Sequence, residues 1–236
     1  MNTDVQPIAE TANCAVLSPA ETSSKNAHAV AFRPYQASIF CNRTAGILIL
    51  HWSRQIGKSH VLAHWATCRL IRQLEKYPTW LVTVLSNSRE NGAEFCLKAA
   101  EACRVMNASI EAIDISPNLV YENMRLEIRI TRRADSDKDA ETKHVGRIKI
   151  LAANPRTARG FSGDLILDEF AFHENSNAIW EAAEPILAAN PEFLCRIAST
   201  GNGRHNLFYH CGYFLPGKHP AVRPGIRTRT RGGVGK

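Results

Sequence analysis

The stretch that decides the fold is Gly46-Ile47-Leu48-Ile49-Leu50-His51-Trp52-Ser53-Arg54-Gln55-Ile56-Gly57-Lys58-Ser59. It opens on a continuous apolar run, the pattern of a strand buried on both faces of a parallel sheet. After Ser59, the residues Val61, Leu62, Trp65, Ala66, Leu70 and Leu74 recur at helical spacing until Pro78 stops the pattern. Strand, loop and helix with Gly57-Lys58-Ser59 in the loop is the setting that a phosphate-binding loop requires. There, backbone N–H groups and the helix N-terminus cradle phosphate oxygens, Lys58 neutralises β/γ charge, and the Ser59 hydroxyl can hold Mg2+. The usual pattern, G-x-x-x-x-G-K-[ST], asks for glycine at position 52, where this chain has Trp52. The tripeptide alone therefore does not settle the matter.

Moving outward, Trp80–Leu85 is a second strand, followed by Ser86-Asn87-Ser88. Ser88 is placed to cap a helix running through Arg104, with Ala93, Cys96, Ala100 and Cys103 on one face. Two such units in succession imply a parallel sheet with right-handed crossovers. Residues 125–130 and 147–150 alternate with period two and read as a strand pair. The charged run from Arg132 to Lys143 between them reads as a solvated connection.

Gly163-Asp164-Leu165-Ile166-Leu167-Asp168-Glu169 is another buried strand, ending in two acids. At the C-terminal end of a strand, where open α/β sheets bind ligands, Asp168 would hold Mg2+ through water. Glu169 would orient and deprotonate an attacking water. His173, close by, reads as an exposed histidine, because no second His at ligand spacing accompanies it. Residues 175–189 are helical, and Phe193–Ser199 is a strand running into Thr200-Gly201-Asn202-Gly203.

The chain of 236 residues is 44 % hydrophobic and 22 % charged, which fits a globular protein. No apolar run approaches the ~18 residues of a membrane span, and no membrane partner is expected. The N-terminus carries Asp4 and Glu10 before any Lys or Arg and does not read as a secretory signal. Seven scattered cysteines, never spaced C-x-x-C, argue against a disulfide framework or zinc finger and for a reducing compartment. Of the 29 Lys/Arg, eight lie in residues 193–236, which hold none of the 22 acids. The body is thus near neutral and the C-terminus basic, so any electrostatic case for nucleic-acid binding rests on the tail. Three segments follow: a flexible leader over 1–30, an ordered α/β domain over 31–213 and a basic, irregular tail over 214–236.

Taken together, the motifs resemble the large terminase subunits of tailed bacteriophages, most closely the Mu-like branch. Ser53-Arg-Gln-Ile-Gly-Lys-Ser59 is similar to that family's deviant Walker A loop, in which R-Q-x-G-K-[ST] replaces the first glycine pattern. Arg33-Pro-Tyr-Gln36 resembles its upstream P-Y-Q element, residues 158–173 its Walker B region, and Ile197–Gly203 its coupling motif, with Gly201 where Pro is common. The resemblance implies a P-loop NTPase of the additional-strand, catalytic-Glu type, with a mainly parallel sheet flanked by helices. It implies Gln36 reading adenine and Arg54 sensing or stabilising the γ-phosphate. Gln55, Gly57, Lys58 and Ser59 would hold nucleotide. Ser59 and Asp168 would hold Mg2+, and Glu169 would activate water. Ser199 and Thr200 would couple hydrolysis to DNA movement.

ATP and Mg2+ are the implied cofactors. Double-stranded DNA, a small terminase subunit and a portal ring are the implied partners, with the chain oligomeric on the portal in the host cytoplasm. A ribonuclease-H-like nuclease domain is expected to be absent: it needs clustered carboxylates for two metals, and no Asp or Glu follows Glu192. Two other readings stand beside this one: a truncated prophage remnant that only binds nucleotide or DNA, and a helicase-like translocase. The latter would need a second ATPase-like domain.

Overall fold

The computed structural model describes residues 30–111, 119–124, 126–133, 143–156, 159, 161–213 and 226–229. Apart from residue 30, the expected leader lies outside the described residues, as does the expected tail apart from 226–229. The elements are α1 (Pro34–Cys41), β1 (Ile47–His51), α2 (Lys58–Gln73), β2 (Thr79–Ser86), α3 (Arg89–Glu111), β3 (Leu119–Met124), β4 (Glu127–Arg133), β5 (Lys143–Ala152), β6 (Asp164–Asp168), a 3-10 turn (Phe170–Phe172), α4 (Ser176–Ala189), β7 (Cys195–Ser199), α5 (Leu207–Tyr213) and β8 (Ile226–Arg229).

One sheet of eight strands runs in the order β3-β4-β5-β2-β6-β7-β1-β8. The five strands from β5 to β1 are mutually parallel. Antiparallel β4 and β3 extend one edge, and antiparallel β8 extends the other. Every residue of β6 and β7 is buried, as a strand covered on both faces demands. The apolar stripe of α2 packs into the core and against α3. At Gly146 of β5 a Cβ would lie 2.7 Å from Leu70 Cδ1, so the missing side chain lets α2 lie close on the sheet.

The expected strand pair is present as β4 and β5, and it belongs to the main sheet, because β5 pairs antiparallel with β4 and parallel with β2. Its alternating burial, with Ile148 and Ile150 inward, marks a strand with one covered face. Strand β3 had no sequence signal, since Glu122 and Asn123 break its apolar run and β4 supplies its hydrogen bonds. Residues 226–229, expected to be irregular, form β8 along β1, from Leu50↔Ile226 to Ile47↔Arg229. That pairing satisfies backbone groups that an open edge would leave free.

The topology levels the C-terminal strand ends. Ser86 pairs with Asp168, Asp168 with Ala198, and His51 with Ser199. The loops leaving β1, β2, β6 and β7 therefore meet on one edge. The other end of β6 is anchored by buried Asp164, which accepts from Leu194 N and Trp80 Nε1, both at 2.7 Å, and from Arg69 Nε at 3.0 Å. Burial pushes this carboxyl up, and the Arg69 guanidinium pulls it back. Fully buried Arg196 donates to the carbonyls of Ala45 and Cys195 at 2.9 Å and of Asn42 at 3.1 Å, with its guanidinium 4.4 Å from the Trp65 ring centroid. Burial lowers its pKa to about 10. The described cysteines are all free thiols.

Candidate nucleotide site

The loop leaves β1 at Trp52, which is buried, with its ring edge-on to Tyr35 at 5.0 Å and its backbone N–H donating to Ser199 O at 3.2 Å. The position that ordinarily carries glycine here anchors the loop to β7 and α1. The backbone then passes through left-handed conformations at Gln55 (φ 60°) and Gly57 (φ 84°) before α2 begins. Gln36 Nε2 occupies the space that a Gly57 side chain would need. Only glycine meets both demands. Gln36 donates from Nε2 to Ile56 O at 2.9 Å and accepts from Arg33 N at 3.0 Å, while Tyr35 Oη donates to Ile56 O at 3.3 Å. The start of α1 is thereby clamped onto the loop.

Lys58 is buried, with Nζ 3.0 Å from Ser53 O and 3.3 Å from Glu169 Oε1. Ser59 Oγ donates to both oxygens of Asp168, at 3.1 and 3.3 Å. Glu169 Oε2 is 3.3 Å from Thr200 Oγ1 and 3.4 Å from both Thr200 N and Ser199 Oγ. Ser199 Oγ also accepts from Ala171 N at 3.1 Å. Lys58, Ser59, Asp168, Glu169, Ser199 and Thr200 therefore form one connected cluster. Gln36 abuts it through the loop. Arg54 and Gln55 are exposed on the rim, and the Arg54 guanidinium lies 5.8 Å from the Phe172 ring centroid.

Burial, reinforced by neighbouring Glu169, raises the Asp168 pKa to about 6, against the pull of Ser59, Lys98 and Lys58. A buried carboxylate held by a hydroxyl and short of positive charge is a donor set that fits a divalent cation beside nucleotide phosphates. Among the described residues no group of three or more His, Cys, Asp or Glu could hold a metal ion.

His173 is not exposed, contrary to the sequence reading. It is 6 % exposed, and its Nε2 lies 3.0 Å from Asp168 O. The 3-10 turn after Glu169 folds the chain back beneath β6, and a lone histidine in the sequence gives no sign of that return. Burial lowers its pKa. Asn202, which received no role, donates from Nδ2 to Ala171 O at 3.1 Å and fastens the same turn. Ser86 was also missed. Its buried Oγ has no hydrogen-bond partner among the described residues, and it stands in register with Asp168. A hydroxyl at the end of a mostly apolar strand was its only sequence signal.

A phosphate loop after β1, an Asp-Glu pair ending β6, and β7 inserted between those strands define a P-loop NTPase. The chain belongs to the family of the terminase large subunit, T4likevirus-type, N-terminal part, whose model matches residues 49–210. A Mu-like prophage protein gp28 of Haemophilus influenzae is 37 % identical over 79 residues; the match covers 31 % of this chain and only 15 % of that protein. The large terminase ATPase domain of a Thermus phage superposes with TM-score 0.57 at 23 % identity, over 80 % of this chain and 71 % of that one. A large terminase of a thermophilic bacteriophage in complex with ADP gives TM-score 0.55 at 10 % identity, over 75 % of this chain and 41 % of that one. These two superpositions bear on fold alone.

Proposed function

We propose that this chain hydrolyses ATP with Mg2+ and that the energy released drives double-stranded DNA into a phage or prophage capsid. The observation that carries this reading is the meeting of Gly57-Lys58-Ser59 with Asp168-Glu169, through Lys58–Glu169 at 3.3 Å and Ser59–Asp168 at 3.1 Å. Family membership and the fold shared with a terminase solved with ADP support the choice of nucleotide.

Lys58 and the loop amides bind the β- and γ-phosphates. Ser59 and Asp168, already joined by a hydrogen bond, would hold Mg2+. When bound, the ion neutralises charge that develops on the phosphates. Glu169 takes a proton from the attacking water. With the phosphates absent, Lys58 is paired with Glu169. Binding would draw the ammonium onto phosphate and free the carboxylate to act as base. Arg54 reaches from the rim to the γ-phosphate, and Gln36 reads adenine with the amide hydrogen and lone pair left over from its loop contacts. Ser199 and Thr200, bonded to the Glu169 carboxylate, pass the change at the phosphate to β7 and onward to DNA. A small terminase subunit, a portal ring and further copies of this chain complete the assembly in the host cytoplasm. DNA cleavage is not part of the proposal.

Mg2+-dependent ATP turnover by the purified chain tests the reading. Glu169→Gln is expected to lower kcat by about 100-fold or more, the ordinary worth of a general base, with nucleotide affinity retained. Lys58→Ala is expected to lose nucleotide binding. Folded protein with no turnover, or turnover indifferent to Glu169→Gln, would overturn it.

A further inference from the structure

The backbone at Glu169 carries a strain that something must hold. Its φ of 51° and ψ of 43° are left-handed, in a residue with a Cβ. The peptide between Asp168 and Glu169 sets two directions at once: that of the Asp168 carboxylate towards Ser59 and that of the Glu169 carboxylate towards Lys58 and Thr200. Three side chains grip the turn that follows. Ser199 takes the Ala171 amide, Asn202 takes the Ala171 carbonyl, and His173 reaches back to the Asp168 carbonyl at 3.0 Å.

Since a carbonyl only accepts, His173 carries its proton on Nε2 and donates it. Nδ1 is then a bare lone pair, buried without a hydrogen-bond partner among the described residues. A ring that leaves one nitrogen orphaned costs stability, and a merely apolar filler would avoid that cost. Phe170 lies edge-on to the imidazole at 5.3 Å and fixes its plane.

We propose that His173 is a positioning residue for hydrolysis at this site: its Nε2–H holds the Asp168 carbonyl, and so holds the left-handed turn that aims the Glu169 carboxylate. This rests on the hydrolytic reading of the site given above. His173 touches neither nucleotide nor water itself and acts through the backbone.

The test compares wild type, His173→Gln and His173→Leu. Gln keeps an N–H that can reach the carbonyl, and Leu keeps bulk without a donor. His173→Leu is expected to lower kcat for ATP by about 10- to 100-fold, the scale of a small misplacement of a reacting group. KM and the Kd for ADP should stay unchanged, and His173→Gln should recover much of the rate. A Gln variant as slow as the Leu variant, or a Kd that rises in step with the loss of kcat, would overturn the proposal. Amide hydrogen exchange over residues 169–173 in the nucleotide-free chain gives a second readout. Exchange should be faster in the Leu variant and near wild type in the Gln variant, and equal protection in all three would sink the idea. Absence of turnover in wild type would count against the hydrolytic reading, while the exchange comparison still decides the role of His173. Should His173→Leu unfold, His173→Met, apolar and unbranched, carries the same comparison.

Discussion

Trp52 stands where a phosphate loop ordinarily has glycine, and its indole fixes the loop from outside by packing on Tyr35. The left-handed bends fall instead at Gln55 and Gly57. A second residue-scale feature lies one turn into α2. His64 is buried, its Nδ1 2.9 Å from His60 O, with its ring 4.3 Å from that of His60 and edge-on to Phe32 at 5.5 Å. Burial lowers its pKa below 6.5, as it does that of His60, with Lys98 and Glu101 acting on His60 in opposite senses. The folded chain takes up a proton at His64 less readily than the unfolded chain, which gains it as pH falls through about 6.5. The stability that His64 contributes above that value is therefore lost on acidification. Asp168, raised to about 6, gains its proton over the same window and acts in the opposite sense, so the test is the difference between variants: the urea midpoint of wild type relative to that of His64→Phe should fall from about pH 7.5 to about pH 5.5. A difference that does not change with pH would remove His64 from the pH dependence.

At the scale of elements, α2 carries Lys58 and Ser59 at one end and rests on β5 at Gly146 towards the other. Gly146→Ala places a methyl group against Leu70, within a space that has no room for it. The expected cost is about 1–3 kcal/mol, the usual range for overpacking, read as a lower denaturation midpoint. A neutral outcome would show that Leu70 can turn aside. Strand β7 joins two regions that sequence keeps apart. Arg196 at its middle holds the carbonyls of residues 42 and 45, and Ser199 at its end holds Glu169 and the turn after it. The entry to β1 and the turn after Glu169 thus share one strand.

For the whole molecule, the parallel strands end level and the loop after β1 closes onto them, so the proposed nucleotide would bind only the folded chain. Ligand in excess should stabilise it by mass action, about 2.7 kcal/mol at a hundredfold excess over Kd. Melting with and without Mg-ATP reads this directly. Lys58→Ala should abolish the shift, and a shift that survives it would place the nucleotide elsewhere. The antiparallel strands extend the sheet at its two edges, β4 and β3 beyond β5 and β8 beyond β1.

Periodicity and short-range spacing were enough for the sequence to specify β1, α2, β2, α3, β6, α4 and β7, since each buries a face whose pattern shows in its own residues. Gly57-Lys58-Ser59 and Asp168-Glu169 stood out in the sequence because few residue types suit the phosphate and metal chemistry expected of them, and the structure brings the two stretches together. Only the tertiary structure decided what those residues touch. Lys58 pairs with Glu169 across more than a hundred positions because β7 pairs with both β1 and β6 and levels their ends. His173 turns inward because the chain after Glu169 folds back under its own strand. Strands β3 and β8 exist because the neighbouring edges offer hydrogen bonds that neither segment could make alone. Local pattern sets which face of an element is buried; the partner that covers it is chosen by the sheet as a whole.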